Sequence, residues 1–472
     1  MMEPSWYSIL PPILAIVLAI WSKQVILSLF AGIWMGFTLL SGWNPLTGLA
    51  ASIDAVIQVF TDPGDARVLV FTLLIGSLIA TIEYSGGVRG FVRYLETRRW
   101  VHTGFRAQCL AWFIGIIIFI ESNITLLIAG AVCRPLFDRY RVSREKLAYL
   151  IDSTSAPVCV LIPLNAWGAV IIGLIGGVGI DNPLEVFVAS IPLNLYAILA
   201  ILLSALVAWK NLNFPQMQAA ELRTQAGELV WPGTTPLVDV AEFDAVRRDE
   251  AEQVPSASYM VGPVLAMLIM MPIGLLITGE GDLIKGSGSI AILWAVIAGI
   301  VTAWIMLFAT RTANLNQLMQ VFMKGAGNLL PIAMILLLAL TLGDVAKLVG
   351  TGPYLAGIAS SSVPQILLAP LVFLVAGFIA FSVGSSWGTF AIMIPIAIPI
   401  ATTLDLSVPL LLAAAISGGI FGDHASPISD TTVVASMASA TDHIDHVRTQ
   451  LPYALTAGGL AAVGFIMLSL WI

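Results

Sequence analysis

Four acidic residues stand inside stretches that are otherwise apolar: Glu121, Asp152, Asp423 and Asp430. Hydroxyl side chains and a proline accompany them in "DSTSAP" (152–157) and "DHASPISDT" (423–431). Carboxylate, hydroxyl and backbone carbonyl oxygens are the ligands that hard cations prefer. A carboxylate can also take up a proton instead of a cation. These residue types therefore predict a site that exchanges a monovalent cation for a proton.

The segments around the acids are those of a polytopic membrane protein. Of 472 residues, 58% are hydrophobic and 10% are charged. Apolar runs recur at close to the roughly 20 residues that a membrane-crossing helix needs, and they lack the alternation typical of barrel strands. A carboxylate in a lipid-facing helix centre costs roughly 2.5 to 3.5 kcal/mol on insertion scales. The acids are therefore expected to face protein, water or a cation.

Two of the polar segments are predicted to be breaks in a membrane-spanning helix. In each of them small hydroxyl residues precede a proline, Pro157 in the first and Pro427 in the second. Proline removes one backbone donor and disfavours helix before it, which frees carbonyl groups. Broken helices of this kind bind ions in secondary transporters.

Basic residues indicate how the chain enters the membrane, because Lys and Arg accumulate on the cytoplasmic side. Five basic residues at 86–106 and five at 134–146 flank the apolar segment 107–133, whereas 349–447 contains no Lys or Arg. Two cytoplasmic flanks do not fit one straight crossing. The segment 107–133 is therefore predicted to be a re-entrant hairpin with its turn near mid-membrane.

Similar motifs recur in the same order in the two halves, as "ESNIT" (121–125) and "SSWGT" (385–389) illustrate. An odd number of crossings in each half makes the repeats inverted. The predicted fold is an all-α polytopic membrane protein with two inverted repeats, each of five transmembrane helices plus one re-entrant hairpin, with broken helices. The predicted parts are a first repeat (1–210; hairpin about 107–133, broken helix 147–180), an acidic cytoplasmic linker (211–257) and a second repeat (258–472; hairpin about 373–398, broken helix 407–438).

Several of the polar residues have two interpretations. Single Ser and Thr side chains also hold helices together in membrane bundles. His424 is either a proton-accepting partner of Asp423 or a hydrogen-bonded core histidine. The segment "TDHIDHVR" (441–448) fits a metal cluster less well than a charged, pH-sensing cytoplasmic edge. Trp387 stands where the first hairpin has Asn123, which predicts two unequal half-sites.

The segments "DSTSAPVCVLIP" (152–163), "GDHASPISDTT" (422–432) and "DHIDHVRTQLPYAL" (442–455) resemble the NhaC-type sodium/proton antiporter family of the ion-transporter superfamily. The resemblance implies an elevator-type transporter in which hairpins and broken spans form a moving transport domain. The other helices would form the scaffold and the interface of a homodimer. It also covers exchangers of organic acids, so it leaves the substrate open.

Residue by residue, the motifs and the resemblance assign the ion or substrate site to four segments. The site residues are Glu121, Ser122, Asn123 and Thr125; Asp152, Ser153, Thr154 and Ser155; Ser385, Ser386 and Thr389; and Asp423, His424, Ser426, Asp430 and Thr431. The expected Na⁺ ligands among them are Asn123, Asp152, Asp423 and Asp430.

The expected function is exchange of Na⁺, or Li⁺, for H⁺ by a multi-pass protein of the cell inner (cytoplasmic) membrane. No cofactor is expected beyond the transported ions, and no nucleic-acid partner. The alternative is a Na⁺- or H⁺-coupled transporter or exchanger of a small organic solute, an amino acid or a carboxylate, on the same fold. An intramembrane hydrolase is disfavoured, because "GIFGDH" (419–424) is not Gly-x-Gly-Asp and the sequence contains no His-Glu-x-x-His.

Overall fold

The computed structural model describes residues 5–22, 24–87, 90, 101–119, 122–234, 236, 256–281 and 286–471. All regular structure in these ranges is helical. The helices of the first half are α1 (Leu10–Ser22), α2 (Val25–Leu40), α3 (Pro45–Gln58), α4 (Pro63–Tyr84), α5 (Gly104–Ile117), α6 (Ser122–Arg139), α7 (Arg144–Cys159), α8 (Ala166–Gly177), α9 (Pro183–Ser190), α10 (Leu195–Lys210) and α11 (Pro215–Gln225).

The second half continues the same numbering. Its helices are α12 (Ser258–Thr278), α13 (Gly288–Ala309), α14 (Leu315–Leu348), α15 (Thr351–Ser362), α16 (Leu368–Val383), α17 (Ser386–Thr403), α18 (Val408–Ala425), α19 (Asp430–Ser439) and α20 (His443–Leu468). Single turns of 3₁₀-helix lie at Trp6–Ile9, Val59–Thr61, Ile191–Leu193 and Gln365–Leu367.

The lengths and composition of these helices make the chain a multi-pass membrane protein. Within the described ranges, nine helices are long and apolar enough to cross a bilayer. The number is ten if α2 and α3, which are bent by 120° at their junction, count as one span. The all-α membrane class predicted from the sequence is confirmed. The inverted symmetry of the repeats stays a prediction.

The helices pack in two groups. In the first group, α4 packs against α8, α13 and α14, and α12 packs against α13. In the second group, α7 packs against α5, α6, α10, α19 and α20, while α18 packs against α16, α17 and α20. Every residue of α7 is buried, so this helix is the centre of the second group.

Both segments predicted to be hairpins consist of two helices packed against each other. The first pair is α5 and α6. The second pair is α16 and α17, whose arms run from 368 to 403 and are longer than the predicted 373–398. Each of these two arms, with the turn before α16, is long enough to be a candidate span by itself. The re-entrant character of the pairs stays a prediction.

The two breaks lie at different places relative to their prolines. In the second broken span, helix stops at Ala425 and resumes at Asp430, so Pro427 lies in the break as predicted. In the first, the prediction was wrong: α7 continues through Asp152 and Pro157 and ends at Cys159, and the break is 160–165. A proline inside a helix removes only one hydrogen bond, and Asn165 Nδ2 binds the carbonyl of Cys159, the last residue of α7, at 2.9 Å.

The beginning of the acidic linker is folded and docked. Its helix α11 lies against the start of α7, and Lys146 Nζ lies 3.0 Å from Glu221 Oε2. Arg223 makes a second, bidentate pair with Glu145, at 2.6 and 3.0 Å. The four side chains are buried. The first part of the linker therefore packs over the amino-terminal end of α7.

Candidate ion-binding site

The carboxylate of Asp152 lies at the centre of the buried helix α7 and is fully buried. Its Oδ2 accepts hydrogen bonds from Thr432 Oγ1 at 3.2 Å and from Gln450 Nε2 at 2.6 Å. Its Oδ1 has no donor among the described protein groups. Helices α19 and α20 of the second half thus provide the described partners of an acid from the first half.

Asp423 has the same pattern two residues before the end of α18. It is 1% exposed. Its Oδ2 accepts a hydrogen bond from Thr431 Oγ1 at 3.2 Å, and its Oδ1 has no donor among the described groups. Consecutive residues of α19, Thr431 and Thr432, therefore reach the two acids. The amino end of α19, with its partial positive charge, suits carboxylates placed there.

Gln450 connects the surroundings of the two acids. Its Nε2 donates both to Asp152 Oδ2 and to the His424 carbonyl, the latter at 3.0 Å. His424 itself is buried, and its Nδ1 lies 3.2 Å from the hydroxyl of Tyr196. Its Nε2 lies among buried atoms without a described partner. A small cavity beside these groups is lined by Tyr149, Ser153, Tyr196, His424, Gln450 and Tyr453.

The other hydroxyls of the first polar segment bond to their own helix. Thr154 Oγ1 donates to the Leu150 carbonyl at 2.7 Å, and Ser155 Oγ donates to the Asp152 carbonyl at 3.0 Å. Thr154 also packs against α5, where a Cβ at Gly115 would collide with it. Thr154 therefore packs α7 against α5, while the Ser155 hydroxyl bonds within α7.

The second hairpin turn lies against the break at 426–429. Ser426 Oγ donates to the Phe381 carbonyl at 2.8 Å, and Ser386 Oγ to the Gly419 carbonyl at 3.2 Å. Ser385 caps α17 by accepting from Gly388 N at 3.4 Å, and the buried Thr389 donates back to the Ser385 carbonyl at 3.0 Å. Ser426 therefore ties the break to α16, Ser386 ties the turn to α18, and Ser385 and Thr389 bond within α17.

The first hairpin turn is tied to the first break by a residue that the sequence analysis missed. Asn165 Nδ2 donates to the Phe119 carbonyl at 3.0 Å, while Asn165 Oδ1 caps α8 by accepting from Gly168 N at 2.9 Å. Beyond the turn, Thr125 Oγ1 donates to the Ile118 carbonyl. Ser122 and Asn123 lie in the first turn of α6, with Ser122 buried. Glu121 lies outside the described residues.

The two hairpin ends differ in chemistry. Trp387 packs against Trp167 of α8, with ring centroids 4.2 Å apart and the ring planes tilted by 33°. Trp167 is 1% exposed and Trp387 is 9% exposed. An aromatic pair thus occupies the second half-site at the position where the first half has an asparagine. The inequality of the two half-sites as ion-binding sites stays a prediction.

Asp430 differs from Asp152 and Asp423 because it is exposed. It is the first residue of α19, and its Oδ1 accepts from Thr431 N at 2.9 Å. The carboxylate therefore sits at the amino end of the same helix that touches Asp152 and Asp423. Its carboxylate is thus more open to the surroundings than those of Asp152 and Asp423, and its role as a ligand stays a prediction.

The ion pairs given for the described residues do not involve the two buried acids of the site. The ion pairs of the described residues join Arg144 to Asp138, Lys146 to Glu221, Arg223 to Glu145 and Lys347 to Asp344. None of these pairs includes Asp152 or Asp423. Groups of three or more His, Cys, Asp or Glu that fit a metal ion are absent from the described residues, so the metal-cluster interpretation of "TDHIDHVR" is not supported.

Sequence reasoning found Asp152 and Asp423 but missed Thr432 and Gln450 as partners of Asp152, and it missed Asn165 as the tie between the first break and the first hairpin turn. Thr432 is one of many Ser and Thr hydroxyls in these segments, and nothing in its local sequence distinguishes it. Gln450 follows "DHIDHVR" and offered a usable signal, because an uncharged amide in a largely apolar helix needs a buried partner. Asn165 gave a signal too, as an N-cap residue before an apolar run.

Comparison with known proteins places these residues in a family context. Residues 158–470 match the Na⁺/H⁺ antiporter family. An uncharacterised protein of Haemophilus influenzae is 32% identical over 98% of this chain and 91% of its own length. The malate-2H⁺/Na⁺-lactate antiporter of Bacillus subtilis is 36% identical over 27% of this chain and 30% of its own. The solved YdaH transporter of Alcanivorax borkumensis has a similar fold, with a TM-score of 0.62 and 16% identity over 96% of this chain and 98% of that one.

Proposed function

The chain belongs to the Na⁺/H⁺ antiporter family, and from this membership and the geometry of the site we propose that it exchanges Na⁺, or Li⁺, for H⁺. The exchange takes place across the cytoplasmic membrane by alternating access. Membership of this family and the candidate membrane spans make the protein a multi-pass secondary transporter.

The observation that carries the proposal is a pair of buried carboxylates with one oxygen each left over. Asp152 and Asp423 use Oδ2 for their described hydrogen bonds, and Oδ1 of each is buried without a described donor. A buried carboxylate without enough partners is costly. A bound cation satisfies the free oxygen, and so does a proton. An acid that accepts one or the other, but not both at once, couples the two flows.

The surroundings favour a small cation over an anionic substrate. The segment from 349 to 447, which carries Asp423 and Asp430, contains no Lys or Arg. The described ion pairs engage Lys146 and Arg223 with glutamates of their own layer. An oxygen-rich, acidic site of this kind suits Na⁺ or Li⁺.

For the transport movement we propose an elevator arrangement. The group of helices around α7 and α18 carries both acids, both breaks and both hairpin segments, and it would move as the transport domain. The group of α4, α12, α13 and α14 would form the scaffold and the interface of a homodimer. This division follows the two packing groups of the fold.

Proton flux in proteoliposomes tests the proposal. Vesicles containing the purified protein and an internal pH dye should show a pH change when NaCl or LiCl is added outside, and none with choline chloride. Asp423→Asn and Asp152→Asn each remove the charge while keeping the shape of the side chain. Each should reduce the Na⁺-dependent flux at least about tenfold, since interactions with a charged group are worth about 1.5–3 kcal/mol.

Asp54→Asn is the matched control, because it makes the same chemical change at an exposed position of α3. It should retain the wild-type flux. Thermal unfolding in detergent gives a second readout, because bound Na⁺ stabilises the folded protein by mass action. Wild-type protein without any Na⁺-dependent or Li⁺-dependent proton flux would exclude the exchange.

The second candidate function is cation-coupled exchange of small carboxylates. The relative from Bacillus subtilis, 36% identical over 27% of this chain, is named for malate, lactate, Na⁺ and H⁺. Uptake of labelled malate or lactate into the same vesicles, driven by a Na⁺ gradient, separates the two candidates. Uptake together with a proton flux that requires the carboxylate would favour this second function.

A further inference from the structure

The first half of helix α14 exposes a stripe of polar side chains. Gln320, Lys324 and Asn328 follow one another at intervals of four residues, and all three are exposed. Residues four apart are neighbours on the surface of a helix, so the three side chains form one continuous stripe. Gly327 lies beside the stripe, and a Cβ there would meet no atom within 4 Å. These four residues are called the α14 face below.

The α14 face lies close to the middle of the membrane. Helix α4 is a candidate span of 22 residues, and its length of about 33 Å matches a hydrocarbon core of about 30 Å. It packs antiparallel to α14: Ser77 Oγ lies 2.8 Å from the Phe322 carbonyl oxygen, and a Cβ on Gly76 would collide with the carbonyl of Gly325. Gly76 is two to three residues past the midpoint of α4. The midpoint is therefore level with residues 327 and 328 of α14.

Lipid is a poor cover for such a stripe. A lysine near the centre of a span is among the most costly residues to place against lipid, and hydrocarbon offers no hydrogen-bond partner to an amide. The neighbouring helices α12 and α13 differ in this respect. They contain no Asn, Gln, Asp, Glu, Lys, Arg or His, and their exposed side chains, such as Val301 and Ile305, are apolar. Helices α12 and α13 thus suit lipid, whereas the α14 face requires a polar partner.

The chemistry of the α14 face fits a second copy of the same chain. Two copies insert in the same orientation, so a twofold axis along the membrane normal brings each residue of α14 level with its own counterpart. The amides of Gln320 and Asn328 both donate and accept hydrogen bonds, which makes the stripe complementary to itself. The Lys324 ammonium has three hydrogens to donate to amide oxygens of the other copy. Gly327 allows the two backbones to approach, as small residues do in pairs of membrane helices.

Apolar side chains complete the contact area on the other side of Gly327. At about 100° per residue, Met323 and Met334 lie on one side of Gly327, while Lys324 and Asn328 lie on the opposite side. Both methionines are exposed. Their unbranched side chains adapt to an irregular partner surface. Gly327 is therefore in the middle of an exposed face that is polar along one edge and apolar along the other.

We propose that the α14 face is the contact between two copies of this chain, with Gly327 at the twofold axis and Gln320, Lys324 and Asn328 hydrogen-bonded across it. The inference rests on the homodimer of the proposed function, and it names the helix face that forms the interface. Helix α14 packs with α4 and lies outside the group around α7 and α18 that carries both acids. A dimer formed here leaves that group in each copy free to move.

Two matched glycine substitutions test the proposal. Gly327 in α14 and Gly459 in α20 are both exposed, and a Cβ on either meets no atom of the same chain within 4 Å. Gly327→Leu therefore adds an obstacle only for a second copy. Energy transfer between donor-labelled and acceptor-labelled copies, in liposomes of decreasing protein-to-lipid ratio, measures the dissociation constant of the dimer. We expect Gly327→Leu to raise this constant at least about tenfold, because overpacking a close contact is costly, and Gly459→Leu to leave it unchanged.

The possible failures of this experiment are distinguishable. A wild-type dimer on which both substitutions have the same effect would overturn the assignment of the α14 face and leave the homodimer in place. A monomeric wild-type protein would exclude the homodimer as well. Neither measurement requires transport, so the outcome is independent of the Na⁺-dependent proton flux.

Cysteine cross-linking tests the geometry of the contact. In a background with Cys109, Cys133 and Cys159 replaced by alanine, Gly327→Cys should form a disulfide-linked dimer on oxidation in membranes, since a disulfide requires Cα atoms within about 7 Å. Val301→Cys, at an exposed position of α13, is the control and should stay monomeric under the same oxidation. A Gly327→Cys protein that stays monomeric and reacts rapidly with a membrane-impermeant maleimide would show that the α14 face lines water, which would overturn the proposal.

Discussion

Thr432 and Asp152 are 280 positions apart in the chain, and Thr432 Oγ1 donates to Asp152 Oδ2 at 3.2 Å. The residue before it, Thr431, donates to Asp423 at the same distance, 3.2 Å. The first turn of α19 therefore contacts both buried acids. A displacement of this turn changes the hydrogen bonding of Asp152 and Asp423 together. The break at 426–429, which sets the position of α19, is thus the element that links the two acids.

The two donors of Asp152 should differ in importance. Gln450→Leu removes the bond of 2.6 Å and also the bond to the His424 carbonyl, whereas Thr432→Val removes one bond of 3.2 Å. Since hydrogen bonds to charged groups are worth about 1.5–3 kcal/mol, Gln450→Leu should raise the Na⁺ concentration for half-maximal flux about tenfold or more. Thr432→Val should raise it less. The flux assay in proteoliposomes measures both, and a larger effect of Thr432→Val would contradict the geometry.

The sequence predicted the acids of the site because a carboxylate in an apolar stretch requires a partner. It also predicted the break at Pro427, where several polar residues surround the proline. It failed at Pro157, because the buried helix α7 is held by neighbours on all sides and tolerates the loss of one hydrogen bond. Gln450 and Asn165 are uncharged, and although each gave a sequence signal, their roles depend on which distant residues the fold brings to them.

For the fold, too, features set by local sequence were predicted and features set by long-range contacts were not. The apolar runs predicted the membrane-spanning helices, since length and hydropathy determine whether a helix can cross a bilayer. The sequence analysis did not predict the short helices α3, α9, α11 and α15. Helix α11 is stabilised by ion pairs with α7, and such long-range contacts leave no local periodicity to detect.

Asn165 should act both as a helix cap and as the tie to the first hairpin turn. Asn165→Ser keeps an N-cap acceptor for Gly168 N but is too short to replace the amide bonds to the Phe119 and Cys159 carbonyls. Asn165→Ala removes both functions, and loss of an N-cap costs about 0.5–2 kcal/mol. We expect both variants to lose Na⁺-dependent flux, and only Asn165→Ala to show the further loss in thermal stability. Equal stability of the two variants would exclude the capping role.

Gly384 should be required at the second hairpin turn. It has φ 73° and ψ 31° after the last residue of α16, and a Cβ there would collide with the Ile428 carbonyl in the break. For a residue with a side chain, the left-handed conformation costs about 1–2 kcal/mol. Gly384→Ala should therefore lower both the unfolding temperature and the flux.

Gly459→Ala is the control for this substitution. Gly459 lies within α20, and a Cβ there meets no atom within 4 Å. Alanine is favoured over glycine inside a helix by about 0.8–1 kcal/mol, so this variant should unfold at the wild-type temperature or above. If Gly384→Ala behaves in the same way as Gly459→Ala, the hairpin turn is not held against the break.

Helix α11 docks on α7 through a buried ion pair between Lys146 and Glu221. Removing only one of the two partners should destabilise the protein. Lys146→Met leaves the buried Glu221 without its cation, which costs about 3–5 kcal/mol in buried pairs. Glu221 also accepts from Ser143 N at 2.8 Å and from Ser143 Oγ at 2.6 Å through Oε1. The double variant Lys146→Met, Glu221→Gln removes both charges and keeps an oxygen for Ser143. It should recover most of the stability that Lys146→Met loses, as measured by thermal unfolding in detergent. A double variant as unstable as the sum of the two single variants would show that the helices are held by packing and not by this pair.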